Sequence, residues 1–256
     1  MLDKTIIINN FSKSAQRYDE FAGIQRFAAD HLIKEIPEND FKQILEIGCG
    51  TGIYTRLLKA RFGAGRIRAV DISERMIRVA RENIRAENVE FEIGDAEEIA
   101  LEQGYDLITS NSAVQWFESI ESALQRYSSV LNKGAWLVFS TFGPLTFTEL
   151  AAALKDVGRD RDLFVASRNF LDKAQLRRIL SKFLNKVSVE EIITQEEYPS
   201  LKGLLENIKH TGSRGRLTGC GYVWSRRLFK AVEDAYLNNN GRISATYQIF
   251  LCKAAR

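Results

Sequence analysis

The chain has few of the side chains that carry most metal and nucleophilic chemistry, since its 256 residues include three cysteines and two histidines. Cys49, Cys220 and Cys252 are odd in number and no two stand at C-x-x-C spacing, which argues against a disulfide framework and a zinc site. His31 and His210 alone leave little for a catalytic metal or a Ser-His-Asp triad. We expect reduced thiols, no bound metal, and chemistry that comes from another source.

Long apolar runs are also absent. No stretch approaches the roughly 18 residues that a membrane-spanning helix needs, and residues 1–4 lack the charged-then-apolar pattern of a secretion signal. With 256 residues and 45% hydrophobic content, the chain can bury the core of one large α/β domain with additions. We therefore expect a single-domain cytoplasmic protein with no membrane partner.

Charge is distributed unevenly along the chain. Residues 1–150 carry 17 Lys and Arg against 22 Asp and Glu, whereas residues 151–256 carry 19 against 11. The later part thus has a net charge of +8 and the earlier part −5. This asymmetry favours an acidic partner for the later part, and a solvated basic face without a partner explains it equally well.

The most informative motif is a glycine run directly after an apolar strand. Residues 44–47 form the strand, and Gly48, Gly50 and Gly52 follow before a helical pattern begins. Glycine permits a sharp turn and lets a ligand approach the main chain. A dinucleotide site needs G-x-G-x-x-G, but Ile53 stands where its third glycine belongs. The spacing disfavours a nicotinamide dehydrogenase and predicts another nucleotide-like cofactor.

Apolar periodicity predicts strands that alternate with helices, which indicates a doubly wound, mostly parallel α/β sheet of seven strands. The strand candidates are residues 43–47, 67–71, 89–93, 105–110, 135–141, 187–198 and 243–253. The helix candidates are residues 54–61, 74–84, 119–131, 201–209 and 223–238, after an N-terminal helical segment over 11–36.

The same pattern predicts how the single domain, residues 1–256, is organised. We expect an N-terminal helical lid over residues 1–40, a cofactor-binding core over 41–144, and the rest of the core sheet over 186–256. Gly143-Pro144 interrupts the strand–helix alternation. Residues 145–185 are therefore predicted to form a cap inserted after the fifth strand, over the carboxyl ends of the strands.

Acidic residues follow two of the predicted strands. Asp71 ends the second strand about 20 residues beyond the glycines, the distance at which such an acid reaches ribose hydroxyls. The alternative is a helix cap, for which Ser73 is better placed. Asp95 stands in the Gly-Asp turn after the third strand, a sequence that an ordinary loop turn also uses.

Residues 46–52, Glu-Ile-Gly-Cys-Gly-Thr-Gly, resemble the first motif of class I S-adenosylmethionine (AdoMet) methyltransferases, and residues 93–96 resemble that family's Gly-Asp-Ala turn. The resemblance implies AdoMet as cofactor and S-adenosylhomocysteine as product. It implies that the following residues bind the cofactor: Glu46, Gly48, Gly50, Gly52, Asp71, Ile72, Met76, Asp95, Ala96 and Asn111. Residues 110–113, Ser-Asn-Ser-Ala, match neither the N/D-P-P-Y/F turn of amino-methylating enzymes nor the Pro-Cys of cytosine-C5 enzymes.

Residues 11–19 and 110–116, with looser matches at 140–144, 209–212 and 246–250, resemble the malonyl-acyl-carrier-protein O-methyltransferases of biotin synthesis. The resemblance implies a malonyl thioester substrate, carried by the acidic acyl carrier protein or by coenzyme A. Tyr18 is the candidate catalytic residue, at the methyl site. The candidate substrate-binding residues are Gln115, Trp116, Arg168, Lys209, His210 and Arg214, of which the last four are candidates for a cationic clamp on the carboxylate.

A malonyl thioester suits a chain with little histidine. Its free carboxylate is already ionised at pH 7, since carboxyl pKa values lie near 4, so attack on a methyl group needs no general base. Positioning then supplies the catalysis. The candidate docking residues for the carrier protein are Arg159, Arg161, Arg177, Arg178, Lys182, Arg226 and Arg227.

Other acceptors stay open at this point. Related methyltransferases act on quinones, sterols or trans-aconitate, and they share the early Tyr-Asp pair with Tyr18 and Asp19. An RNA-binding methyltransferase or a silent AdoMet-binding regulator is a further alternative, because the basic later part has the charge to contact phosphates. The later part shows no recognisable RNA-binding module, so we expect no nucleic-acid partner.

Overall fold

The computed structural model describes residues 4–158, 165–212 and 224–256. The helices are α1 (Lys4–Ser14), α2 (Tyr18–Phe21), α3 (Gly23–Glu35), α4 (Ile53–Arg61), α5 (Glu74–Asn83), α6 (Ile120–Val130), α7 (Thr148–Asp156), α8 (Lys173–Leu180), α9 (Leu201–His210) and α10 (Arg226–Asn240). The strands are β1 (Gln43–Ile47), β2 (Arg66–Asp71), β3 (Val89–Ile93), β4 (Tyr105–Asn111), β5 (Leu131–Phe142), β6 (Asn185–Tyr198) and β7 (Ile243–Ala255). Short 3-10 helices span Val114–Trp116 and Ala166–Asn169.

All seven strands form one sheet in the order β3-β2-β1-β4-β5-β7-β6. The strands from β3 to β5 are parallel, whereas β7 runs antiparallel to both β5 and β6. The carboxyl ends of β1 to β4 therefore meet at one edge of the sheet, where open α/β sheets bind ligands. The predicted fold class is confirmed, and each predicted strand matches an observed strand within a few residues.

The central strands read as near-continuous apolar runs because helices cover both faces of the sheet. Alternate residues of each strand belong to two separate clusters of buried side chains. Ile44, Ile67 and Leu107 pack on the face that carries α3 and α4, and Leu45 and Ile108 pack on the face that carries α6 and α8. The sheet is thereby fixed on both sides, so the loops at its carboxyl edge are held in place.

The N-terminal segment is three helices rather than one continuous helix over residues 11–36. A turn after α1 interrupts it, in which the Arg17 amide donates to the Ser14 carbonyl at 2.9 Å. The buried Ser14 hydroxyl also donates to the Lys209 carbonyl of α9 at 3.1 Å. Because α1 is held by α5 and α9 while α3 packs on α4, the chain must bend between them, and the bend brings Tyr18 toward the sheet edge.

Two helical additions follow β5 and β6. Within the predicted cap, α7 packs against α10 and β7, while α8 packs against α6 and β6 and so belongs to a layer that flanks the sheet. Helices α9 and α10 lie between β6 and β7 in the chain, and α9 contacts α1 and α2. The boundaries predicted for the lid, core and cap stay a prediction. Among the described residues, no helix has the length and hydropathy to cross a membrane.

Candidate active site

A cavity of about 750 Å³, open to solvent on one side, lies at the carboxyl ends of β1 to β4; we call it the cofactor cavity. Ten of the residues that the sequence singled out line this cavity: Tyr18, Gly48, Gly50, Asp71, Ile72, Met76, Asp95, Ala96, Asn111 and Trp116. They come from five separate segments of the chain, and parallel pairing of the strands brings them together.

The three motif glycines have different surroundings. Gly50 has φ 55°, and a Cβ added there would meet nothing within 4 Å, so a ligand can approach its main chain. At Gly48, a Cβ would lie 2.3 Å from the Cβ of Ala113. At Gly52, it would lie 2.7 Å from the Ile84 side chain, and Gly52 does not line the cavity. Gly52 thus serves packing and Gly50 serves ligand access, while Gly48 packs against Ala113 and also lines the cavity.

Asp71 organises the glycine loop from the end of β2. Its Oδ2 accepts from the Gly50 amide at 2.9 Å, and its Oδ1 accepts from the Ser73 amide at 2.8 Å. Each oxygen keeps a lone pair for a hydroxyl donor in the cavity. Desolvation raises the pKa of Asp71 to about 6. The N-cap of α5 is Ser73, whose hydroxyl accepts from the Met76 amide, so Asp71 lines the cavity without capping that helix.

Glu46 lies behind the glycine loop and does not line the cavity. The residue is 1% exposed, and its Oε2 has no hydrogen-bond partner. Burial, together with the nearby Asp71 carboxylate, raises its pKa to about 8. A carboxyl group with such a pKa is mostly protonated at pH 7, which lowers the cost of burying it. The direct cofactor contact expected of Glu46 stays a prediction.

Lys4 of α1 occupies the far end of the cavity, and sequence reasoning missed it. Its Nζ lies 2.5 Å from Asp95 Oδ2 and 2.8 Å from Glu97 Oε2. Asp95 also accepts from the Glu97 amide through Oδ1 at 2.9 Å. No motif surrounds Lys4, and its partners follow some ninety residues later in the chain, so no local signal marks it. The turn expected to bind adenine is therefore in contact with the N-terminal helix.

Aromatic rings close the cavity opposite the glycine loop. Phe11 of α1 lies between Tyr18, at a ring-centroid distance of 6.4 Å, and Trp116, at 6.1 Å. Desolvation raises the pKa of Tyr18, so its hydroxyl is protonated at neutral pH. A Cβ on Gly212, at the end of α9, would touch the Phe11 ring. This side of the cavity is thus built from the N-terminal segment and the loop after β4, and Phe11 connects it to the end of α9.

Gln115 has a role within the chain. Its Nε2 donates to the Ser112 carbonyl at 2.6 Å, and its Oε1 accepts from the Thr141 hydroxyl at 3.1 Å. Ser112 is a non-glycine residue with φ 55°, and this bond helps to hold that conformation. Gln115 does not line the cofactor cavity, and its predicted substrate contact stays a prediction.

The predicted cationic clamp is dispersed. Arg168 and Lys209 are exposed, and His210 stacks on Phe21 with ring centroids 4.4 Å apart. None of the three lines the cofactor cavity, and Arg214 lies outside the described residues.

The docking residues Arg159 and Arg161 also lie outside the described residues. The remaining ones, Arg177, Arg178, Lys182, Arg226 and Arg227, are exposed. Lys182 pairs with Glu121 at 2.7 Å. Over the described parts of the chain, no three His, Cys, Asp or Glu side chains form a group that could hold a metal ion.

A second, narrower cavity shares Trp116 with the cofactor cavity. Its lining comes from α3, the ends of β5 and α9, the start of α7, the second 3-10 helix and its flanking residues, and β7. The residues are Ile24, Gln25, Trp116, Phe142, Thr146, Phe147, Val165, Ser167, Phe170, Asn207, Thr211 and Tyr247. The sequence predicted Trp116 at this place and none of the others, because no motif joins such distant segments.

The cofactor cavity fits an adenosyl ligand that carries an amino acid. It offers the Asp71 oxygens to vicinal hydroxyls, Asp95 to an amino group, and the apolar side chains of Ile72 and Met76 to a flat ring. The open main chain at Gly50 admits the amino-acid end.

Comparisons with known proteins agree with this fit. Residues 44–134 match the family model described as a methyltransferase domain. Among solved structures, the YcgJ protein of Bacillus subtilis superposes with a TM-score of 0.63 at 17% identity, covering 90% of this chain and 98% of that one. Phosphoethanolamine N-methyltransferase 2 of Haemonchus contortus, in complex with phosphomonomethylethanolamine and S-adenosylhomocysteine, gives 0.56 at 18% identity, covering 89% and 52%. These two similarities show the fold.

Full-length relatives show the family. Malonyl-[acyl-carrier protein] O-methyltransferase 2 of Ilyobacter polytropus is 35% identical over 241 residues, which cover 93% of this chain and 92% of that protein. The malonyl-[acyl-carrier protein] O-methyltransferase of Bacillus cereus is 33% identical over 257 residues, covering 96% and 95%. The family prediction is confirmed: the chain is a methyltransferase that belongs to the malonyl-[acyl-carrier protein] O-methyltransferase family.

Proposed function

We propose that this protein methylates the free carboxylate of a malonyl thioester, with malonyl-acyl carrier protein as the acceptor, in the cytoplasm. The product is the methyl ester that primes pimeloyl synthesis for biotin. Bound AdoMet supplies an electrophilic methyl group. The observation that carries the proposal is the position of Trp116, which lines both the cofactor cavity and a second, largely aromatic cavity directly beside it.

The cofactor is held, in this proposal, by the residues at the carboxyl ends of the strands. Asp71 accepts from the ribose hydroxyls with the lone pairs left by Gly50 and Ser73. Asp95 accepts from the adenine amino group, and Ile72 and Met76 cover the ring. Both carboxylates already accept backbone amides, so their orientation is fixed before a ligand arrives, which lowers the entropy lost on binding.

The acceptor needs alignment rather than deprotonation. A malonyl carboxylate is ionised at pH 7 because its pKa lies near 4. Among the described residues that line either cavity there is no histidine to serve as a general base. Tyr18, protonated at neutral pH because desolvation raises its pKa, borders the methyl site and orients the acceptor. The chain thereby supplies positioning, an effect worth about 7–11 kcal/mol in well-oriented systems.

The carrier is proposed to dock through exposed cations. Arg177, Arg178, Arg226 and Arg227 are exposed, and the net charge of residues 151–256 is +8. Long-range attraction to an acidic carrier raises the association rate and is screened by salt. A KM for the carrier-bound substrate that rises with salt is therefore expected.

An acceptor panel tests the proposal. Labelled AdoMet is offered with malonyl-acyl carrier protein, malonyl-coenzyme A, a quinone precursor and trans-aconitate, and the labelled products are identified by mass spectrometry. We expect a methyl ester on malonyl-acyl carrier protein. The carrier loaded with malonyl methyl ester, which has no free carboxylate, is the matched control and should stay unlabelled. Label on the quinone precursor or trans-aconitate with none on either thioester would overturn the proposal.

A further inference from the structure

Gln25 is a buried polar residue with an unsatisfied oxygen in the wall of the second cavity. It lies on α3, is 6% exposed, and its side-chain Oε1 has no hydrogen-bond partner. Its neighbours on the buried face of α3 are apolar: Ile24, Ala28, Ala29 and Leu32. An apolar side chain would suit such a face, so an unpaired amide there indicates an occupant that is bound through hydrogen bonds.

The end of β4 holds Gln25 at the boundary between the two cavities. The Gln25 carbonyl accepts from Asn111 Nδ2 at 3.0 Å, and Asn111 Oδ1 accepts from the Ser140 hydroxyl at 2.7 Å. Asn111 lines the cofactor cavity, whereas Gln25 lines the second one. The backbone of Gln25 is therefore bonded to the end of β4, where the methyl group is expected. This bond fixes the position from which the side-chain amide of Gln25 extends.

Several other polar groups of the second cavity are engaged within the chain. The Thr146 hydroxyl bonds to the backbone of Gln248, and the Ser167 hydroxyl donates to the Thr146 carbonyl. Asn207 Nδ2 donates to the Phe21 carbonyl at 3.1 Å. These bonds hold the cavity wall in shape, and Gln25 is left with capacity for an occupant.

The second cavity is aromatic and uncharged. None of the described residues that line it carries a formal charge, and five of them have aromatic rings. A small group with an apolar stem and one anionic end fits such a space when a neutral donor meets the anion. The amide can turn its Nε2 toward the cavity by half a rotation of its last bond. A neutral donor also leaves the carboxylate more nucleophilic than an ion pair would.

We propose that the second cavity binds the malonyl group and that Gln25 is a substrate-binding residue whose Nε2 donates to the malonyl carboxylate. This inference rests on the proposed function and adds to it the residue that binds the carboxylate and the group that fills the second cavity. In this proposal the carboxylate is bound by an uncharged amide and not by an arginine or a lysine. The carboxylate then faces the cofactor cavity past Trp116, which borders both spaces.

Two substitutions test this role. Gln25→Glu keeps the shape of the side chain, but burial and the malonyl carboxylate raise the pKa of the new carboxyl group, as burial does for Glu46. Its KM is therefore measured at pH 9, where the ionised side chain repels the malonyl carboxylate and KM for the malonyl thioester should rise by about 100-fold or more. Gln25→Leu removes the donor without adding charge, and KM should rise by about tenfold. The affinity for AdoMet, measured by calorimetry, should stay within about twofold of wild type in both, since Gln25 lies outside the cofactor cavity.

The matched control is Gln125→Glu, the same chemical change at an exposed position on α6, and its KM should equal that of wild type. Titration of malonyl-coenzyme A into protein saturated with S-adenosylhomocysteine gives a readout that needs no turnover. Weakened binding in both Gln25 variants supports the proposal.

Each contrary outcome has a separate meaning. An active wild type with an unchanged KM in Gln25→Glu would overturn the role of Gln25 and leave the proposed function standing. A wild type that methylates no malonyl thioester would overturn both. Loss of AdoMet affinity together with thermal stability in both variants would assign Gln25 to the fold and overturn its substrate role.

Discussion

The two cavities that share Trp116 are built in different ways. The cofactor cavity takes its lining from residues 4–117, chiefly from loops that follow β1 to β4. The second cavity takes its lining from residues 24–247, from α3 and α9, from β5 and β7, and from the loops and short 3-10 helices that connect the core elements. Carboxylates and open main chain characterise the first, whereas aromatic rings and neutral polar groups characterise the second. The difference implies that cofactor affinity and acceptor affinity can be changed separately.

The largest expected effect is a loss of AdoMet affinity that leaves the second cavity nearly unchanged. Asp71→Ala removes the proposed acceptor for the ribose hydroxyls together with its bonds to the Gly50 and Ser73 amides, and hydrogen bonds to charged groups contribute about 1.5–3 kcal/mol each. We expect the AdoMet affinity, measured by calorimetry, to fall by about 100-fold or more. Binding of malonyl-coenzyme A to the second cavity should change far less.

Asp106→Ala is the matched control. Asp106 also accepts two backbone amides, those of Lys42 and Gln43 at 3.0 Å, but at the opposite edge of the sheet. It should lower the melting temperature and leave the AdoMet affinity unchanged. Equal losses of affinity in the two variants would mean that Asp71 acts only through general stability.

Trp116→Ala should change the cofactor affinity and the acceptor affinity together, because the indole borders both cavities. It removes the edge contacts with Phe11 and with Phe170, whose centroid lies 5.8 Å away. We expect the AdoMet affinity to fall and the KM for the acceptor to rise, each by about tenfold, as expected when an aromatic wall of a site is removed. Trp136→Ala, on β5 and outside both cavities, should reduce stability alone. A change in only one of the two constants would assign Trp116 to one cavity.

Acid should affect the cofactor cavity before the second one. The pKa of Asp71 is about 6, so at pH 5 most of its carboxyl groups are protonated and lose acceptor capacity. The AdoMet affinity should therefore fall by about tenfold between pH 7.5 and pH 5. Asp71→Asn should flatten this profile, and a profile with the same slope in that variant would exclude Asp71 as its source.

The pH dependence of folding stability has the opposite sign to the pH dependence of AdoMet affinity. Asp71 and Glu46 have folded-state pKa values of about 6 and about 8, above the value near 4 of an unfolded chain. The native state therefore retains protons that the unfolded chain releases. The resulting stability is present below about pH 4 and is lost as the pH rises through these two values.

The smallest expected effect comes from the far end of the cofactor cavity. Lys4→Gln removes the ion pairs of α1 with Asp95 and Glu97, whose side chains are only partly exposed. Such pairs contribute about 1 kcal/mol or less, so S-adenosylhomocysteine should dissociate a few times faster in stopped-flow measurements at low salt. Lys42→Gln, at an exposed pair with Asp40, is the control. A dissociation rate that is independent of salt in the wild type would mean that these ion pairs do not help to retain S-adenosylhomocysteine.

The sequence predicted the cofactor cavity well because its signals are local. Asp71 and Asp95 each end or follow a strand that hydrophobic pattern alone identifies, and parallel pairing then brings the strand ends together. The sequence does not distinguish the roles of the three motif glycines. Only the structure shows that Gly48 and Gly52 face packed side chains while Gly50 faces open space.

The second cavity could not be predicted in the same way. Gln25 lies within an apolar helical pattern, where a single polar residue gives no indication of an occupant. Charge alone points to Arg168 and Lys209, but charged side chains are mostly exposed, as these two are. The turn after Ser14 contains no glycine or proline, so the sequence does not indicate it. A hydrogen bond from Ser14 to α9 holds this turn in place.

The position of β7 in the sheet has a consequence for the order in which the protein is made. Every described residue that lines the cofactor cavity precedes β5 in the chain. The second cavity needs Tyr247, and among the described strands β6 pairs with β7 alone. During translation, the ribosome thus releases this described lining of the cofactor cavity while the acceptor cavity still lacks its last wall. A nascent chain acquires the residues for its methyl donor well before those for its acceptor.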